Sequence, residues 1–426
     1  MPASLATSMP NRAAISIDGR PDGAGAIVCF SHLRWSFVWQ RPQHLLSRFA
    51  ATRPVYVVEE PEFANELNAP TLTVSRQGNV AVLTPMFPAN GGLPYGFNHA
   101  TNAYISELLT SYLSGRRMLD QDAAVVTWYY TPMALGAEPR GLKQIVTIYD
   151  VMDELANFRG APAALRTNEQ RLFDHADLVF TGGPSLYRAR IERHPRVSCF
   201  PSGVDIKHFG RAHDITALPE EIESLYGPVL GFYGVLDERL DTSLIAGIAA
   251  LRPDWHLVLI GPVAKILPDD LPMAANIHYL GKRDYEALPA YLAGFDAAIL
   301  PFARNEATEF ISPTKTLEYL AAGKPVVSTS IRDVVDLYGS TVAFADEPVA
   351  FVKAVERFWR EPDAERRARE LRARTLLLEH EWDAIADRMW SLIEDVVAAD
   401  AVTATVRQEV TWYRDAAGGR LAAASD

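Results

Sequence analysis

Lys315 and Glu318 are the two residues whose types and spacing point most directly to chemistry. Lys315 falls in the first turn of a predicted helix, where a lone lysine is unfavourable because its charge opposes the helix dipole. A phosphate bound by the free backbone N–H groups at that helix start would explain the lysine. A polyhydroxylated ring beyond the phosphate would explain Glu318, which shares a helix face with Thr314. The pattern therefore predicts a nucleotide-sugar pocket.

The neighbouring residues carry the start and stop signals of this helix, which is predicted over residues 313–322. Ser312 is a favourable N-cap, and Pro313 stands at the first helical position, where proline is tolerated. Gly323 lies where the chain must leave the helix. Residues 325–329 are then predicted to form a buried strand. The alternative is a surface helix with a capping serine and a solvated Lys–Glu pair.

A second candidate phosphate ligand is Arg239, which lies in a loop between a strand ending at Gly234 and a helix that Asp241 can cap. A guanidinium can bind a phosphate through two parallel hydrogen bonds. When a sugar–phosphate bond breaks, negative charge builds up on the leaving diphosphate, so Arg239 and Lys315 would stabilise the transition state. The alternative is a surface arginine paired with Glu238 or Asp241.

Three acidic residues follow the apolar strand that ends near Tyr149, namely Asp150, Asp153 and Glu154. Acids at the carboxyl end of a strand, facing a cleft, suggest catalysis or acceptor binding. A carboxylate there could deprotonate an acceptor hydroxyl as it attacks an anomeric carbon. The sequence does not choose between Asp150 and Asp153, and capping of the next helix is the alternative role for each.

The first predicted strand is followed by a loop, residues 31–44, that contains two Trp, two Arg and two His residues. Trp and Arg suit a sugar, because its C–H face packs on an aromatic ring and its hydroxyls accept hydrogen bonds from a guanidinium. The alternative is a packed helix with Trp39 and Leu45 in the core. The predicted acceptor-binding residues are Arg34, Trp35, Arg41 and His44.

Predicted strands alternate with predicted helices in two series, over residues 26–200 and 229–344. This alternation predicts an α/β protein with two Rossmann-like, doubly wound parallel sheets. The polar segment 203–226 is predicted to be the linker between them. Ligands should bind in the cleft at the carboxyl ends of the strands.

Length and composition exclude several classes of protein. The 426 residues suffice for two domains, and 48% are apolar, as in a globular protein with substantial cores. The net charge of −12 disfavours nucleic-acid binding; residues 1–210 carry 19 basic and 18 acidic side chains, and the remainder 22 and 35. No apolar run would span a membrane and no hydrophobic signal core begins the chain, so a cytoplasmic location is expected.

The two cysteines, Cys29 and Cys199, lie in apolar strand-like segments and are predicted to be buried and unpaired. Neither has His or carboxylate neighbours at the spacing of metal ligands. The Gly-x-Gly-x-x-Gly pattern of dinucleotide-binding enzymes is absent after the first strand, which argues against a dehydrogenase.

The segment FISPTKTLEYLAAGKPVV, residues 310–327, resembles the donor-site motif of GT-B glycosyltransferases of the retaining, glycogen-synthase-like group (glycosyltransferase family 4-like). In that group a Ser/Pro/Lys turn binds the nucleotide diphosphate, and the second glutamate of a Glu-x7-Glu pattern binds the ribose hydroxyls. The position of the first glutamate holds Phe310 here, so the contact to the donor sugar passes to Glu309 or Glu306, or is absent. The resemblance assigns the remaining roles to Ser312, Lys315 and Glu318.

The resemblance extends to two more loops of the second series. Glycogen-synthase-like enzymes place a basic pair after the first strand; Arg239 matches the second basic position and Val235 replaces the first. The loop at Gly281 and Lys282 corresponds to the one that borders the nucleobase, usually uracil or guanine. The resemblance also implies catalysis without a metal ion or other cofactor. The residues predicted to bind the donor are Gly234, Gly281, Lys282, Glu309, Ser312, Pro313, Thr314, Lys315 and Glu318.

The GT-B resemblance implies an acceptor domain, a donor domain and a C-terminal helix that returns to the first domain. The words FSHLRW and WQRPQHL in the first loop resemble a subgroup from bacterial polysaccharide pathways. The predicted division is a disordered leader (1–24), an acceptor domain (25–208), a donor domain (209–378), a returning helix (379–398) and a tail (399–426).

The implied function is transfer of a hexose-type sugar from a UDP- or GDP-linked donor to a saccharide or lipid-linked acceptor in cell-surface polysaccharide or glycolipid synthesis. Peripheral contact with the cytoplasmic face of the membrane is a further expectation. Two alternatives remain open at this point. A nucleotide-sugar epimerase on the same fold would form an isomer without an acceptor. A catalytically silent nucleotide-sugar-binding scaffold would explain the departures at Phe310 and Val235.

Overall fold

A computed structural model of the chain describes residues 25–116, 118 and 124–399. The predicted leader and the tail from residue 400 onward lie outside the described residues. Two β-sheets, each flanked by helices, form the body of the molecule.

The first sheet has nine strands in the order β3-β5-β2-β1-β6-β7-β8-β9, with β4 paired to β5. All pairings are parallel except the antiparallel pairing of β4 with β5. The strands are β1 (Ala26–Ser31), β2 (Val55–Glu59), β3 (Glu62–Ala64), β4 (Thr71–Gln77), β5 (Val80–Pro88), β6 (Val125–Tyr129), β7 (Gln144–Val151), β8 (Leu178–Thr181) and β9 (Val197–Cys199). The helices between them are α1 (Arg41–Phe49), α2 (His99–Ser114), α3 (Leu165–His175) and α4 (Pro184–Arg190).

The second sheet has six parallel strands in the order β12-β11-β10-β13-β14-β15. The strands are β10 (Val229–Tyr233), β11 (His256–Ile260), β12 (Ile277–Gly281), β13 (Ala297–Leu300), β14 (Val326–Ser328) and β15 (Ala343–Phe344). The accompanying helices are α5 (Ile206–Gly210), α6 (Glu220–Glu223), α7 (Thr242–Leu251), α8 (Leu288–Ala293), α9 (Lys315–Ala321), α10 (Arg332–Tyr338), α11 (Pro348–Trp359) and α12 (Asp363–Glu379).

Both sheets reverse their strand order beside their first strand. The reversal falls between β1 and β6 in the first sheet and between β10 and β13 in the second. Loops leave the sheet in opposite directions at such a point, which opens a crevice at the carboxyl ends of the strands. The central strands are buried along their whole length, which explains their continuous apolar sequences.

The segment predicted as a linker is not a free connection. Residues 203–226 include α5 and α6, and Val204, Phe209 and Ile222 are buried in the core of the second domain. These helices have five and four residues, so each offers too few apolar positions for a helical period to be recognised in the sequence.

The chain returns to the first domain through a helix that occupies residues 382–399. Its apolar side, including Trp382, Met389 and Trp390, is buried in the same core as β1 and α1. The chain crosses between the domains twice, near Val204 and near His380. These two segments hydrogen-bond to each other, since the Val204 amide donates to the His380 carbonyl (2.9 Å). The helix at residues 382–399 therefore completes the core of the first domain. Among the described residues, no helix is long and apolar enough to cross a membrane.

Replacement of Met389 by alanine is expected to destabilise the protein by about 2–5 kcal/mol, because a fully buried side chain leaves a cavity. The matched control is Leu378→Ala on α12, where the leucine is 62% exposed. Urea unfolding followed by tryptophan fluorescence measures both. Equal midpoints for the two variants would contradict the packing of the returning helix against the first domain.

Candidate active site

Two adjoining cavities lie between the sheets. The outer cavity, of about 290 Å³, is lined by residues 35–40 of the first domain and by the ends of β10, β11 and β12 and the start of α9 in the second. The inner cavity, of about 90 Å³, continues it toward Met152 and Asp153 of the first domain. Residues that line both are Gln40, Val235, Arg239, Thr314 and Lys315.

The floor of the outer cavity is formed by two glycines that directly follow neighbouring strands, Gly234 after β10 and Gly261 after β11. Gly234 has a φ of +151°, and a Cβ there would lie 2.3 Å from the Cε of Lys315. A Cβ on Gly261 would lie 1.7 Å from the carbonyl oxygen of Gly234. Only glycine allows this approach, so the strand ends bring the aliphatic part of Lys315 across the floor.

Lys315 and Glu318 both line the outer cavity, but the helix starts later than expected. Helix α9 begins at Lys315 with Thr314 as its N-cap residue, so Ser312, the predicted N-cap, precedes that residue by two positions. Thr314 already has helical dihedral angles (φ −55°, ψ −34°), and its carbonyl accepts from the Glu318 amide. The hydroxyl of Ser312 therefore does not cap the helix, although Ser312 and Pro313 still line the inner cavity.

Glu318 is almost fully buried and accepts a 2.6 Å hydrogen bond from the Tyr233 hydroxyl. Burial raises the pKa of Glu318, and the nearby Lys315 ammonium acts in the opposite direction. Burial likewise lowers the pKa of Lys315, with Glu318 opposing that effect. The hydroxyl of Tyr319 accepts from the Tyr233 amide (3.0 Å) and so fixes the end of β10 against α9.

Arg239 lines both cavities, and its guanidinium is held by Asp237 through three side-chain hydrogen bonds of 2.7 to 3.1 Å. The partner is neither of the two acids that the sequence offered. Glu238 instead accepts from the Arg159 amide of the first domain, and Asp241 caps α7 as predicted. The ion pair with Asp237 orients Arg239, and Nη1 makes no hydrogen bond within the described part of the chain.

Of the two candidate bases, only Asp153 faces a cavity. Asp150 is fully buried and accepts two 3.1 Å hydrogen bonds from the Nε of Arg41. An internal ion pair with Arg41 therefore replaces the predicted catalytic role of Asp150. Arg41 itself also lines the inner cavity, so its predicted contact with the acceptor stays a prediction. Burial raises the pKa of Asp153, while Arg239 and Lys265 act to lower it.

The remaining acid of this strand end, Glu154, pairs with Arg190, which is itself buried. Arg190 also contacts Glu169 (3.2 Å), and Glu169 accepts from the Tyr149 hydroxyl (3.1 Å). This network lies behind the loop that carries Asp153. It holds the loop in place and leaves Asp153 as the carboxylate available to a ligand.

The predicted acceptor-binding residues divide into those that reach the cleft and those that do not. Trp35 lines the outer cavity, and its amide donates to Glu59 (2.6 Å). Arg34 is instead engaged in ion pairs with Glu59 (3.3 Å) and Glu62 (3.5 Å). His44 is wrongly predicted as a ligand contact, since it lies on the buried face of α1, stacked on Trp382 at 4.9 Å.

Trp39 is exposed by 40% and lines the outer cavity, so the alternative that placed it in the core is wrong. It stacks on Tyr285 of the second domain at 5.6 Å and donates to Nδ1 of His44 (3.2 Å). Burial lowers the pKa of His44 well below its usual range, which keeps the ring neutral as an acceptor. Leu45 lies in the core as that alternative expected.

The loop at Gly281 and Lys282 borders the outer cavity, and Lys282 donates to the Ser36 carbonyl of the first domain (2.8 Å). Glu309 is exposed and lines neither cavity, so it does not replace the missing glutamate of the motif. Phe310 instead packs against the core of the first domain. The carbonyl of Glu306 accepts from Asn157 across the cleft (3.2 Å).

Residues 227–361 match the family described as glycosyl transferases group 1. A relative from Bacillus subtilis (strain 168), the putative teichuronic acid biosynthesis glycosyltransferase TuaH, is 24% identical over 290 residues, which are 61% of this chain and 68% of the relative. The family match falls on the domain that carries Arg239, Lys315 and Glu318. The chain is a GT-B glycosyltransferase.

Solved structures of low sequence identity share the fold. Sucrose-phosphate synthase from Thermosynechococcus elongatus superposes with a TM-score of 0.64 at 16% identity, over 88% of this chain and 100% of that one. A structure described as trehalose-6-phosphate from E. coli bound with UDP-2-fluoro glucose gives a TM-score of 0.61 at 12% identity, over 87% and 99%. These likenesses show two facing Rossmann-like domains in this glycosyltransferase and nothing finer.

Sequence reasoning missed two residues that line the outer cavity, Tyr233 and Tyr285, and three that lie beside Arg239 or its aromatic neighbour, namely Asp237, Phe158 and Lys265. Tyr233 and Asp237 lie in or next to the loop that contains Arg239, and their position near a strand end was a signal that could have identified them. The sequence carries no comparable signal for the other three residues. Among the described residues, no group of three His, Cys, Asp or Glu side chains could hold a metal ion, and metal independence stays a prediction.

Substitution of Gly234 by alanine is expected to displace Lys315 and to lower both the unfolding temperature and the affinity for nucleoside diphosphates. Gly141→Ala is the matched control, because Gly141 also has a positive φ (+78°) but an added Cβ would contact nothing within 4 Å. Each change carries the left-handed backbone cost of about 1–2 kcal/mol. A thermal-shift comparison with UDP and GDP separates strain from displacement, and identical behaviour of the two variants would refute the close contact.

Glu318→Gln is expected to gain stability relative to wild type as pH rises. Because burial raises the pKa of Glu318 above 4.5, the folded wild type retains a proton that the unfolded chain releases, so wild-type stability falls as pH rises through that window. The glutamine variant lacks this loss, and the difference becomes constant above the folded-state pKa. Unfolding temperatures at pH 4 and pH 8 measure it, with the exposed Glu309→Gln as control; a difference that shrinks toward pH 8 would contradict the assignment.

Proposed function

We propose that this glycosyltransferase moves a hexose-type sugar from a nucleoside-diphosphate sugar to a saccharide or lipid-linked acceptor in the synthesis of a cell-surface polysaccharide or glycolipid. One observation carries the proposal: Arg239 and Lys315 of the donor domain face Asp153 of the acceptor domain across one cleft. The name of the TuaH relative supports a polysaccharide pathway. The UDP-2-fluoro glucose bound in the E. coli structure supports a UDP-linked donor, and a GDP-linked one remains the alternative.

The nucleotide would lie along the outer cavity. Its ribose hydroxyls would donate to Glu318, whose buried carboxylate is oriented by Tyr233. Its base would lie toward the loop at Lys282, beside Trp39 and Tyr285. The diphosphate would then reach Lys315 and the free edge of Arg239, where the two cavities meet.

Transfer requires that the bond from the anomeric carbon to the diphosphate oxygen breaks and that its electron pair stays on the diphosphate. The acceptor oxygen forms the new bond to that carbon and gives up its proton, for which Asp153 is the candidate acceptor. Positive charge on Arg239 and Lys315 stabilises the leaving group. The resemblance of the donor motif to retaining enzymes favours retention of the anomeric configuration. No metal ion is required in this proposal.

The cleft of this structure is closed by direct contacts between the domains. Lys282 donates to the Ser36 carbonyl, and the Arg159 amide donates to Glu238. An inner cavity of about 90 Å³ is small for a sugar and an acceptor together. Substrates would therefore enter after the domains separate, and closure would exclude water from the reacting groups.

The similarity to the glycosyl transferases group 1 family and to TuaH does not favour the alternative function of a nucleotide-sugar epimerase.

Lys315→Ala and Arg239→Ala are each expected to lose about 2–4 kcal/mol of transition-state stabilisation, because each removes a cation beside the leaving diphosphate. A thermal-shift panel of UDP, GDP, dTDP and their sugars identifies the donor. The release of nucleoside diphosphate is then measured with native membrane extract as the acceptor. Lys353→Ala, an exposed lysine of α11, controls for the loss of one positive charge. Activity within threefold of wild type in both cleft variants would contradict the proposal.

A further inference from the structure

The donor site has one basic residue fewer than the family it resembles, because Val235 stands at the first position of the basic pair. The two cations that remain are both partly neutralised within the protein. Arg239 is bound to Asp237 by three side-chain hydrogen bonds, and the charge of Lys315 is opposed by the adjacent Glu318. A diphosphate that accumulates negative charge would gain from a further cation in the same place.

Lys265 lies beside the loop that lacks the cation. The segment after β11 runs next to the segment after β10: the Leu236 amide donates to the Pro262 carbonyl (2.9 Å), and the Ala264 amide donates to the Leu236 carbonyl (3.1 Å). Leu236 also forms an isolated parallel bridge with Val263. These contacts fix Lys265 one residue beyond a segment that is paired with the loop of Val235.

The backbone conformation of Lys265 and its contact with an aromatic ring distinguish it from the other exposed lysines of the described chain. Among the described residues it is the one residue other than glycine with a positive φ, +63°, a conformation that a residue with a Cβ adopts at an energetic cost. Its exposed ammonium has no hydrogen bond or ion pair with any described residue. Instead it lies 4.0 Å from the ring centroid of Phe158, a residue of the first domain.

Arg239 lies over the same ring, with its guanidinium carbon 5.7 Å from the Phe158 centroid. Two cations from two donor-domain loops therefore converge on one aromatic ring. The charge of Lys265 also acts to lower the pKa of Asp153, a residue of the acceptor domain that lines the inner cavity. A ring face holds a cation weakly compared with an anion, so the Lys265 side chain can turn toward a diphosphate that binds at Arg239.

We infer that Lys265 is a further leaving-group residue, which supplies from the loop after β11 the positive charge that is missing at Val235. In this structure its ammonium lies over the ring of Phe158, which Arg239 also approaches. With donor bound, it pairs with an oxygen of the diphosphate and stabilises the charge left there when the bond to the anomeric carbon breaks. This inference rests on the proposed function, and it adds a residue that the motif of the family does not contain.

The test compares the affinities of wild type and variants for nucleoside diphosphate and nucleoside monophosphate, measured by isothermal titration calorimetry with UDP and UMP, or with GDP and GMP if these stabilise the wild type. Lys265→Asn is the main variant, because asparagine tolerates a positive φ and the change removes the ammonium without adding backbone strain. Lys265→Arg restores the charge. Lys353→Gln, on the remote helix α11, controls for net charge.

Lys265→Asn is expected to weaken diphosphate binding and to lower kcat by about 10- to 100-fold, the range for loss of one charged hydrogen bond. Affinity for the monophosphate should change less than about twofold, and Lys265→Arg should restore diphosphate binding. Phe158→Leu removes the ring and keeps both cations, so its diphosphate affinity should equal or exceed that of wild type.

Three results would overturn the inference while leaving the proposed function intact. They are equal diphosphate affinity and turnover in Lys265→Asn and wild type, an equal loss of monophosphate and diphosphate binding, or a loss in Phe158→Leu as large as in Lys265→Asn. Absence of binding of any nucleoside diphosphate by wild type would instead overturn the proposed function, and the inference with it.

Discussion

The close passage of Lys315 over Gly234 is the contact on which the geometry of the site depends. A side chain at the end of β10 would occupy the space that the lysine now crosses, with 2.3 Å between its Cβ and the Cε of Lys315. Because that space is open, α9 can pack close to the sheet and Tyr233 can reach Glu318 at 2.6 Å. The cation and the carboxylate are thus positioned by two consecutive residues at one strand end, Gly234 and Tyr233.

Two of the three cations at the cleft are partly neutralised within the protein. Arg239 is bound to Asp237 and the charge of Lys315 is opposed by Glu318, so an incoming diphosphate must compete with these carboxylates for the two cations. Such pairing stabilises the fold, since unpaired charges away from water are costly. It also implies that binding rearranges side chains on both domains, because Phe158 and Asp153 belong to one and Arg239 to the other. The groups involved are Arg239, Lys265 and Lys315, with Asp153, Asp237 and Glu318.

Much of the fold could be predicted from the sequence. Strands buried on both faces are continuous apolar runs, and capping residues, proline and glycine mark the ends of helices. The alternation of these elements led to two doubly wound sheets, and the crevice at their strand ends follows from topology. The spacing of Lys315 and Glu318 and the position of Arg239 after β10 were likewise local facts. Short elements such as α5 were not predicted, because five residues are too few to show a helical period of apolar positions.

What the sequence determined alone was therefore which residue types stand at each strand end and helix start, since that information is encoded within a few neighbouring positions. Tertiary structure decided which of them face the cleft. Asp150 is kept out of the cleft by its ion pair with Arg41, 109 residues away along the chain. His44 is kept out of the cleft by stacking on Trp382 of the returning helix. Lys265 is placed by Phe158 of the other domain. Burial and charge pairing depend on residues distant along the chain, and local spacing carries no record of such partners.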